Sequence, residues 1–452
     1  MHESPLLSRT RCEEVFALAQ DCARSLGASD IEVQLGGGAS ALTRFANNTI
    51  HQNVAERSGY LSVRALLDRR TARASTNRLD ADAIRDAVKH AIRITRLQAP
   101  DPDLPPLARP EPWTPVSRAC SSTAETTPEQ RARAVAAAIR EVEGEGQIAA
   151  GIYSTGESVF AVLNSAGVFA YHAETMAVFS ITAMAPDSSG WAKASACDAS
   201  ELDPVRLARS AVRKARESRA PIAIEPGRYT VVLEPAAVLD LVGQMFPDFS
   251  GTALRDERSF LNDRLGKPVF GSNIHIFDDV CDPRQAGAPF DAEGVPRRRL
   301  VLVERGVPKQ IAYSRQAARL AGAAPTGHGF AVPNEAGEAP VNVVIAGGEA
   351  PLEELIRTTG RGILVTRLWY IREVDAYEKI MTGMTRDGTF LIEDGRITRG
   401  LRNLRFNQSL VELLGNVEAM SPAGRAAGEE APDMVAPAMK VRDFHFTEVT
   451  RF

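Results

Sequence analysis

The stretch "GMTRDGTFLIEDGRI", residues 383–397, places two Asp-Gly pairs around a short apolar run, with charged side chains crowded at both ends. It admits two readings, a carboxylate site for a metal or acid-base chemistry, or the corners of a β-hairpin. A calcium loop needs alternating oxygen ligands over about a dozen residues and a closing glutamate. Here the middle is filled by Phe390, Leu391 and Ile392. Glycine after aspartate supplies the positive φ that tight hairpin turns demand. The stretch therefore reads as strand with both Asp-Gly pairs at hairpin corners.

The same design recurs nearby. "LVLVERGVPKQIAY" at 300–313 is again an apolar strand, a glutamate and a glycine turn into a returning strand. "GRYTVVLEP" at 227–235 reads as a strand, and Pro235 opens a helix, "AAVLDLVGQMF", that reaches Phe246 before Pro247 ends it. Residues 221–452 are thus expected to form a mainly β domain rich in antiparallel hairpins with short helices.

Residues 1–220 have a different texture. Val15, Leu18, Ala19, Cys22 and Leu26 fall at helical spacing, and Gly27 supplies a stop. "DIEVQL" at 30–35 alternates as a half-buried strand, the triple glycine at 36–38 reads as a hairpin loop, and "LTRFANNTIHQN" is strand, Asn-Asn turn and strand. "GYLSVRALLD" extends the sheet, and Asp80 caps a helix with Ile84, Val88, Ala91 and Ile92 on one stripe.

After the proline-rich linker at 99–115, "APDPDLPPLARPEPWTP", the order repeats. Thr127, Pro128 and Gln130 make a capping-box start, with Val135, Ala138, Ile139 and Val142 as the helical stripe. "QIAAGIY", "VLNSAGVFAY" and "AVFSITAMA" then precede a helix carrying Val205, Ala208, Val212 and Ala215. Gly27 and Gly144, Ile31 and Ile148, Asn47 and Asn164, and Ser62 and Phe179 all match at a shift of 117. The fold class is α+β, with a duplicated helix-sheet-helix unit at about 9–97 and 127–218 in the N-terminal domain.

At 452 residues the chain exceeds one hydrophobic core. A net charge of -4 offers no footprint for nucleic acid, and no apolar run of about 18 residues suggests a membrane span. The acidic, signal-free beginning favours the cytoplasm. Cys12, Cys22, Cys120, Cys197 and Cys281 are scattered and read as reduced thiols.

Metal and nucleotide signatures are missing. Of the seven histidines the nearest two, His51 and His90, stand 39 positions apart, so no helix-borne pair exists. The "HE" at His2 has no following histidine, and His172 with Glu174 reads as ordinary sheet surface. "IAGGEAPLEELI" at 345–356 puts glycines before a short helix, but Glu349, Glu353 and Glu354 would repel a phosphate there.

"RFANNTIHQN", "PFDAEGVPRRRLVLVERGV", "APTGHG", "GMTRDGTFLIEDGRI" and "LRNLRFNQSLVELL" together resemble the TldD/PmbA family over nearly the entire chain. The resemblance implies a two-subunit protease of unfolded or leader-type peptides, in which TldD carries zinc and the PmbA-type subunit, also called TldE, does not. In the zinc-bearing subunit a His-Glu-x-x-x-His motif lies on the helix after the strand matching "GRYTVVLEP", and a cysteine near the C-terminus completes the site. Here that helix holds neither histidine nor glutamate, no cysteine follows Cys281, and "APAMKVRDFHFT" is similar to the PmbA ending.

The chain is thus expected to be the TldE-like subunit. It would have no catalytic or metal residue of its own, with zinc in a TldD-like partner, and a homodimer is the alternative assembly. Arg367, Arg372, Arg386, Asp387 and Arg405 are the candidates for lining the peptide chamber. Two other readings stand beside this: a non-enzymatic modulator, for example of DNA gyrase, and a self-sufficient hydrolase built on His328 with a nearby carboxylate.

Overall fold

A computed structural model describes residues 4–450. The first half runs α1 (Arg9–Ser25), β1 (Asp30–Ala46), β2 (Thr49–Leu67), β3 (Arg70–Thr76) and α2 (Ala81–Leu97). After a short α3 (Ser121–Ala124) the order returns as α4 (Pro128–Gly144), β4 (Ile148–Asn164), β5 (Phe169–Ala185), β6 (Ser188–Ala196) and α5 (Pro204–Glu217). The caps foreseen are present: Asp80 accepts from the amide of Ala83, and Thr127 and Gln130 form a reciprocal capping box.

The two units join edge to edge in one sheet, ordered β3-β2-β1-β4-β5-β6. Asp30 pairs Leu66 in the first hairpin and Ile148 pairs Met184 in the second, while Leu61 pairs Thr76 and Phe179 pairs Ala194. Up to the irregularity between Arg44 and Phe45, adding 118 to the residues of the first unit reproduces the ladder of the second, so the shift of 117 is corrected by one. The correction matters because one residue moves a side chain to the other sheet face. Ile31 is fully buried and its structural counterpart is buried Ala149, whereas Ile148 is 46% exposed. The shared Ile and Asn identities misled because the second turn is longer than the Asn47-Asn48 corner.

Gly36, Gly37 and Gly38 are not a loop but the middle of β1. Gly36 lies opposite Tyr60, whose ring occupies the place a Cβ would take, so the glycine makes room for an aromatic ring.

Both helix pairs cover the same sheet face. Ile31, Val33, Leu61 and Val63 pack beneath α1 and α2, and Ala149, Phe179 and Ile181 beneath α4 and α5. Phe179 is fully buried and stacks on Phe45 at 6.2 Å, a burial contributing about 1.5–3 kcal/mol. The opposite face packs on the second half through charge: fully buried Arg64 reaches Glu293 at 3.2 Å and Glu32 at 3.5 Å, Arg73 pairs with Glu32, and Arg315 meets Glu293 at 3.2 Å.

The second half contributes β7 (Gly227–Leu233), α6 (Pro235–Val242), α7 (Gly251–Arg255), β8 (Ile276–Asp278), β9 (Leu300–Glu304), β10 (Val307–Pro308), α8 (Arg315–Ala321), β11 (Val343–Ile345) and α9 (Leu352–Arg357). It continues with β12 (Arg361–Asp375), β13 (Ile380–Glu393), β14 (Arg396–Gly400), β15 (Leu404–Ser409), α10 (Leu410–Gly415), β16 (Val417–Met420), β17 (Gly424–Ala426), β18 (Met434–Ala436) and β19 (Met439–Val449). One sheet is ordered β10-β9-β8-β11-β18-β17. The other, β12-β7-β19-β15-β13-β14, closes on itself because β12 also pairs β13. Val231, Leu233, Val365, Leu391, Phe406 and Phe444 belong to the core between them. Most pairs are antiparallel as expected; β7 with β12 and β11 with β18 are parallel.

α6 is shorter than foreseen: the last stretch tightens into a 3-10 helix, Gly243–Asp248, that contains Pro247. No helix among the described residues is long and apolar enough to cross a membrane. None of the five cysteines, all of them among the described residues, is joined in a disulfide.

Candidate functional site

Asp394 and Gly395, with φ of 48° and 74°, form the corner between β13 and β14 as the sequence suggests. The first Asp-Gly pair behaves differently. Asp387 and Gly388, with φ of 52° and 131°, sit inside β13 and produce a bulge, not a corner. A Cβ on Gly388 would lie 2.5 Å from Thr366 Oγ1. Glycine thus allows the bulge to form against β12, and the bulge carries the Asp387 side chain out of the ladder alternation.

Asp387 is the hub of the site. Arg367 Nε donates to its Oδ2 at 2.9 Å, Arg367 Nη2 makes a second contact with the same oxygen, and Ser189 Oγ donates to Oδ1 at 2.7 Å. The Arg367 guanidinium lies 4.9 Å from the Trp191 ring and 5.5 Å from the Trp369 ring. Arg386, the register partner of Arg367, lies 5.0 Å from the Trp369 ring and 3.5 Å from Asp387. Cation-π contacts of this kind strengthen when desolvated, and Arg367 is 7% exposed. A cleft of about 530 Å³ opens beside the hub, lined by Ser189, Asp387, Gly388, Arg402 and Asn403 among others.

Arg372 lies further along β12, 3.7 Å from Glu430 and 4.5 Å from the Tyr370 ring. Between them the strand bulges, and Tyr370 is held at φ 57° with its amide donating to Glu430 Oε1 at 2.9 Å. Arg405 is not part of this contact set. It pairs Met384, which pairs Trp369, so it shares their row two strands away, about 10 Å by sheet spacing. Its side chain is exposed.

Sequence reading missed Trp191, Ser189, Trp369, Asp240 and Glu430. Asp240 is on α6, the helix where the family resemblance would put a zinc motif. It is fully buried, and its Oδ1 accepts from the amides of Glu429 and Glu430 at 2.8 Å each, while Oδ2 has no donor. Burial pushes its pKa up to about 6, against the pull of those amides and of the Arg367 charge.

This surrounding does not fit zinc. The one carboxylate on the helix is tied to backbone amides and faces a guanidinium, with no imidazole or thiolate beside it. Among the described residues no three His, Cys, Asp or Glu side chains are grouped to hold a metal ion. His2 lies outside the described residues.

His328 does meet a carboxylate. Its Nε2 is 2.9 Å from Asp278 Oδ1 and its Nδ1 is 3.0 Å from Thr326 Oγ1, while Asp278 Oδ2 accepts from the amides of Val341 and Asn342. The imidazole is fully buried, so the group fastens loops together and no substrate reaches it. His172 is not sheet surface as expected. It is 6% exposed, beneath the 287–290 segment, where the Gly287 amide donates to neighbouring Glu174.

Comparison with known proteins follows this architecture closely. Residues 32–95, 121–219 and 226–448 match the PmbA/TldA metallopeptidase domain 1, central domain and C-terminal domain, respectively. A metalloprotease of Methanothermobacter thermautotrophicus is 27% identical over 291 residues, 58% of this chain and 60% of that relative, so the match spans less than two thirds of its length. Metalloprotease PmbA of Escherichia coli O157:H7 is 24% identical over 421 residues, 90% of each chain. The crystal structure of TldE from Thermococcus kodakarensis superposes with a TM-score of 0.86 at 20% identity, covering 97% of this chain and all of that one, and shares the fold. With all three domains matched in order, the chain belongs to the PmbA/TldD metallopeptidase family.

Proposed function

We propose that this chain is the zinc-free subunit of a TldD/TldE-type heterodimeric metallopeptidase that degrades or processes unfolded or leader-type peptides. The observation that carries the reading is α6. Where the resemblance expects the zinc motif of the other subunit, this helix presents a single buried aspartate, Asp240, tied to the 429–430 amides beside Arg367. The likeness to a protein named TldE supports the same assignment.

In this reading the chain supplies wall and positioning. Asp387, braced by Arg367, lines a cleft of a size that accepts a few residues of extended peptide, with Arg402 as the basic residue of its wall. Arg386 and Arg405, being exposed, are free to engage peptide carbonyls or a carboxylate, whereas buried Arg367 holds the shape. Zinc in the partner would activate the water that cleaves the peptide.

The test is zinc content and hydrolysis of an unfolded peptide by this chain alone and after mixing with a zinc-bearing TldD-type homologue. Activity and zinc are expected only in the mixture. Chelator-sensitive hydrolysis by the chain alone would overturn the assignment.

A further inference from the structure

We propose that the bulge of β12 at Tyr370 and Ile371 is a seat for the C-terminal carboxylate of a peptide, and that Glu430 is its internal occupant. The ligand class, a peptide, rests on the function proposed above; the seat itself rests on the geometry of the bulge.

Backbone builds the seat. Trp369 pairs Met384 and Arg372 pairs Thr382, so β12 carries one residue more than β13 between these pairs. Tyr370 is held there at φ 57°, a left-handed conformation that costs a tyrosine on the order of 1–3 kcal/mol. In return two successive amides converge on one carboxylate, that of Tyr370 at 2.9 Å from Glu430 Oε1 and that of Ile371 at 3.3 Å from Oε2. One amide for each oxygen is the arrangement by which backbone nests capture a chain end.

The surroundings suit such a ligand. Arg372, with a side chain 59% exposed, stands 3.7 Å from Glu430 Oε2 and adds a cation. Its guanidinium lies 4.5 Å from the Tyr370 ring, which is 52% exposed and offers an apolar surface to the last side chain of a peptide. The acids beside the seat in sequence, Glu429 and Glu373, are paired with Lys193 at 3.3 Å and Lys379 at 2.8 Å.

Glu430 reaches the seat from a strap, residues 428–433, that is fastened by other groups. Asp240 accepts from the amides of Glu429 and Glu430, Gln244 Nε2 donates to the Glu430 carbonyl at 3.0 Å, and Ser195 Oγ donates to Asp433. A Cβ on Gly428 would collide with Asp240 Oδ1, so glycine lets the strap lie against α6. The strap backbone is therefore held whether or not the Glu430 carboxylate is seated. The bond from Tyr370 to Glu430 lies at the surface, and an incoming carboxylate meets the same two amides once the Glu430 side chain swings away.

Calorimetric titration of the full chain tests the seat without partner, zinc or hydrolysis. Its failure leaves the zinc-free subunit assignment standing, and hydrolysis by the chain alone would leave the seat standing. The probes are an acetylated alanine pentapeptide with a free C-terminus, the same peptide as its C-terminal amide, and that amide with a central glutamate.

A seat filled by its own side chain has an apparent affinity lowered to the fraction of time it stands empty. Glu430→Ala should therefore bind the free acid at least about tenfold tighter than the parent does, and at least about tenfold tighter than it binds either amide. Arg372→Gln in that background should weaken the acid several-fold and leave the amides unchanged. Glu430→Gln, which keeps an oxygen for the Tyr370 amide and drops the charge, should show the same order with a smaller gain, and decides the matter if the alanine variant does not fold. Acid and plain amide bound equally, no binding of the acid, or no gain over the parent would overturn the seat. A glutamate amide that binds as tightly as the acid would overturn its assignment to a chain end.

Discussion

Ser189 and Asp387 lie 198 positions apart in the chain, yet the serine hydroxyl donates to the aspartate carboxylate at 2.7 Å, tying the edge of the first sheet to the bulge of the last. The same carboxylate neutralises Arg367, and the two side chains are 9% and 8% exposed. Removing one member of such a buried pair leaves the other charge without a partner. Asp387→Ala should therefore cost about 3–5 kcal/mol, read as a lower urea midpoint at unchanged slope. The double change Arg367→Met with Asp387→Leu should recover most of that loss. If the single change is as mild as the double, the pair is not the brace described above.

The bulge itself can be tested at its glycine. Gly388→Ala places a Cβ 2.5 Å from Thr366 Oγ1 at a φ of 131°, which should destabilise by roughly 1–3 kcal/mol. Gly415→Ala, at the end of α10 with open space around its Cβ, should be neutral or stabilising by up to about 1 kcal/mol. Equal effects at the two positions would remove the argument from the bulge.

How far this architecture was legible depends on the range of the cause. Helices and their caps were readable at Asp80, Thr127 and Gly27 because the signal lies within four residues. The Asp394-Gly395 corner was readable for the same reason. Asp387-Gly388 has the same letters, but whether it turns or bulges is decided by β12, whose Thr366 side chain fills the space above Gly388. The repeat was visible as an order of elements, while its shift was misjudged by one because Ile148 imitates Ile31 without sharing its burial. Of the residues singled out in the sequence, Arg367, Arg386 and Asp387 come into contact, but Trp191 and Ser189 come from a strand whose local sequence says nothing about the residues near 387.

The metal reading makes its own prediction. A chain whose α6 holds Asp240 against backbone amides and an arginine should be indifferent to chelation: its unfolding temperature should stay within about 1 °C with EDTA or added zinc. Mass action makes this decisive, since zinc present at a hundred times its dissociation constant would stabilise by about 2.7 kcal/mol. A clear zinc-dependent rise would mean that distant ligands converge on a metal.

Asp240 also carries a pH dependence whose sign is fixed. Burial raises its pKa from an ordinary 3.8 to about 6 in the folded chain, so between those values the folded state holds a proton that the unfolded state releases. Its contribution favours folding fully below pH 3.8 and is lost as pH rises through 6. The difference corresponds to roughly 3 kcal/mol. Asp240→Asn keeps an oxygen for the Glu429 and Glu430 amides and removes the ionisation. Its stability relative to the parent should therefore improve from pH 5 to pH 8, by on the order of 1–1.5 kcal/mol, whatever constant offset the amide introduces. Denaturant curves at several pH values measure that change directly. A difference independent of pH would show that Asp240 is already charged throughout, stabilised by Arg367 and the two amides more strongly than its burial opposes.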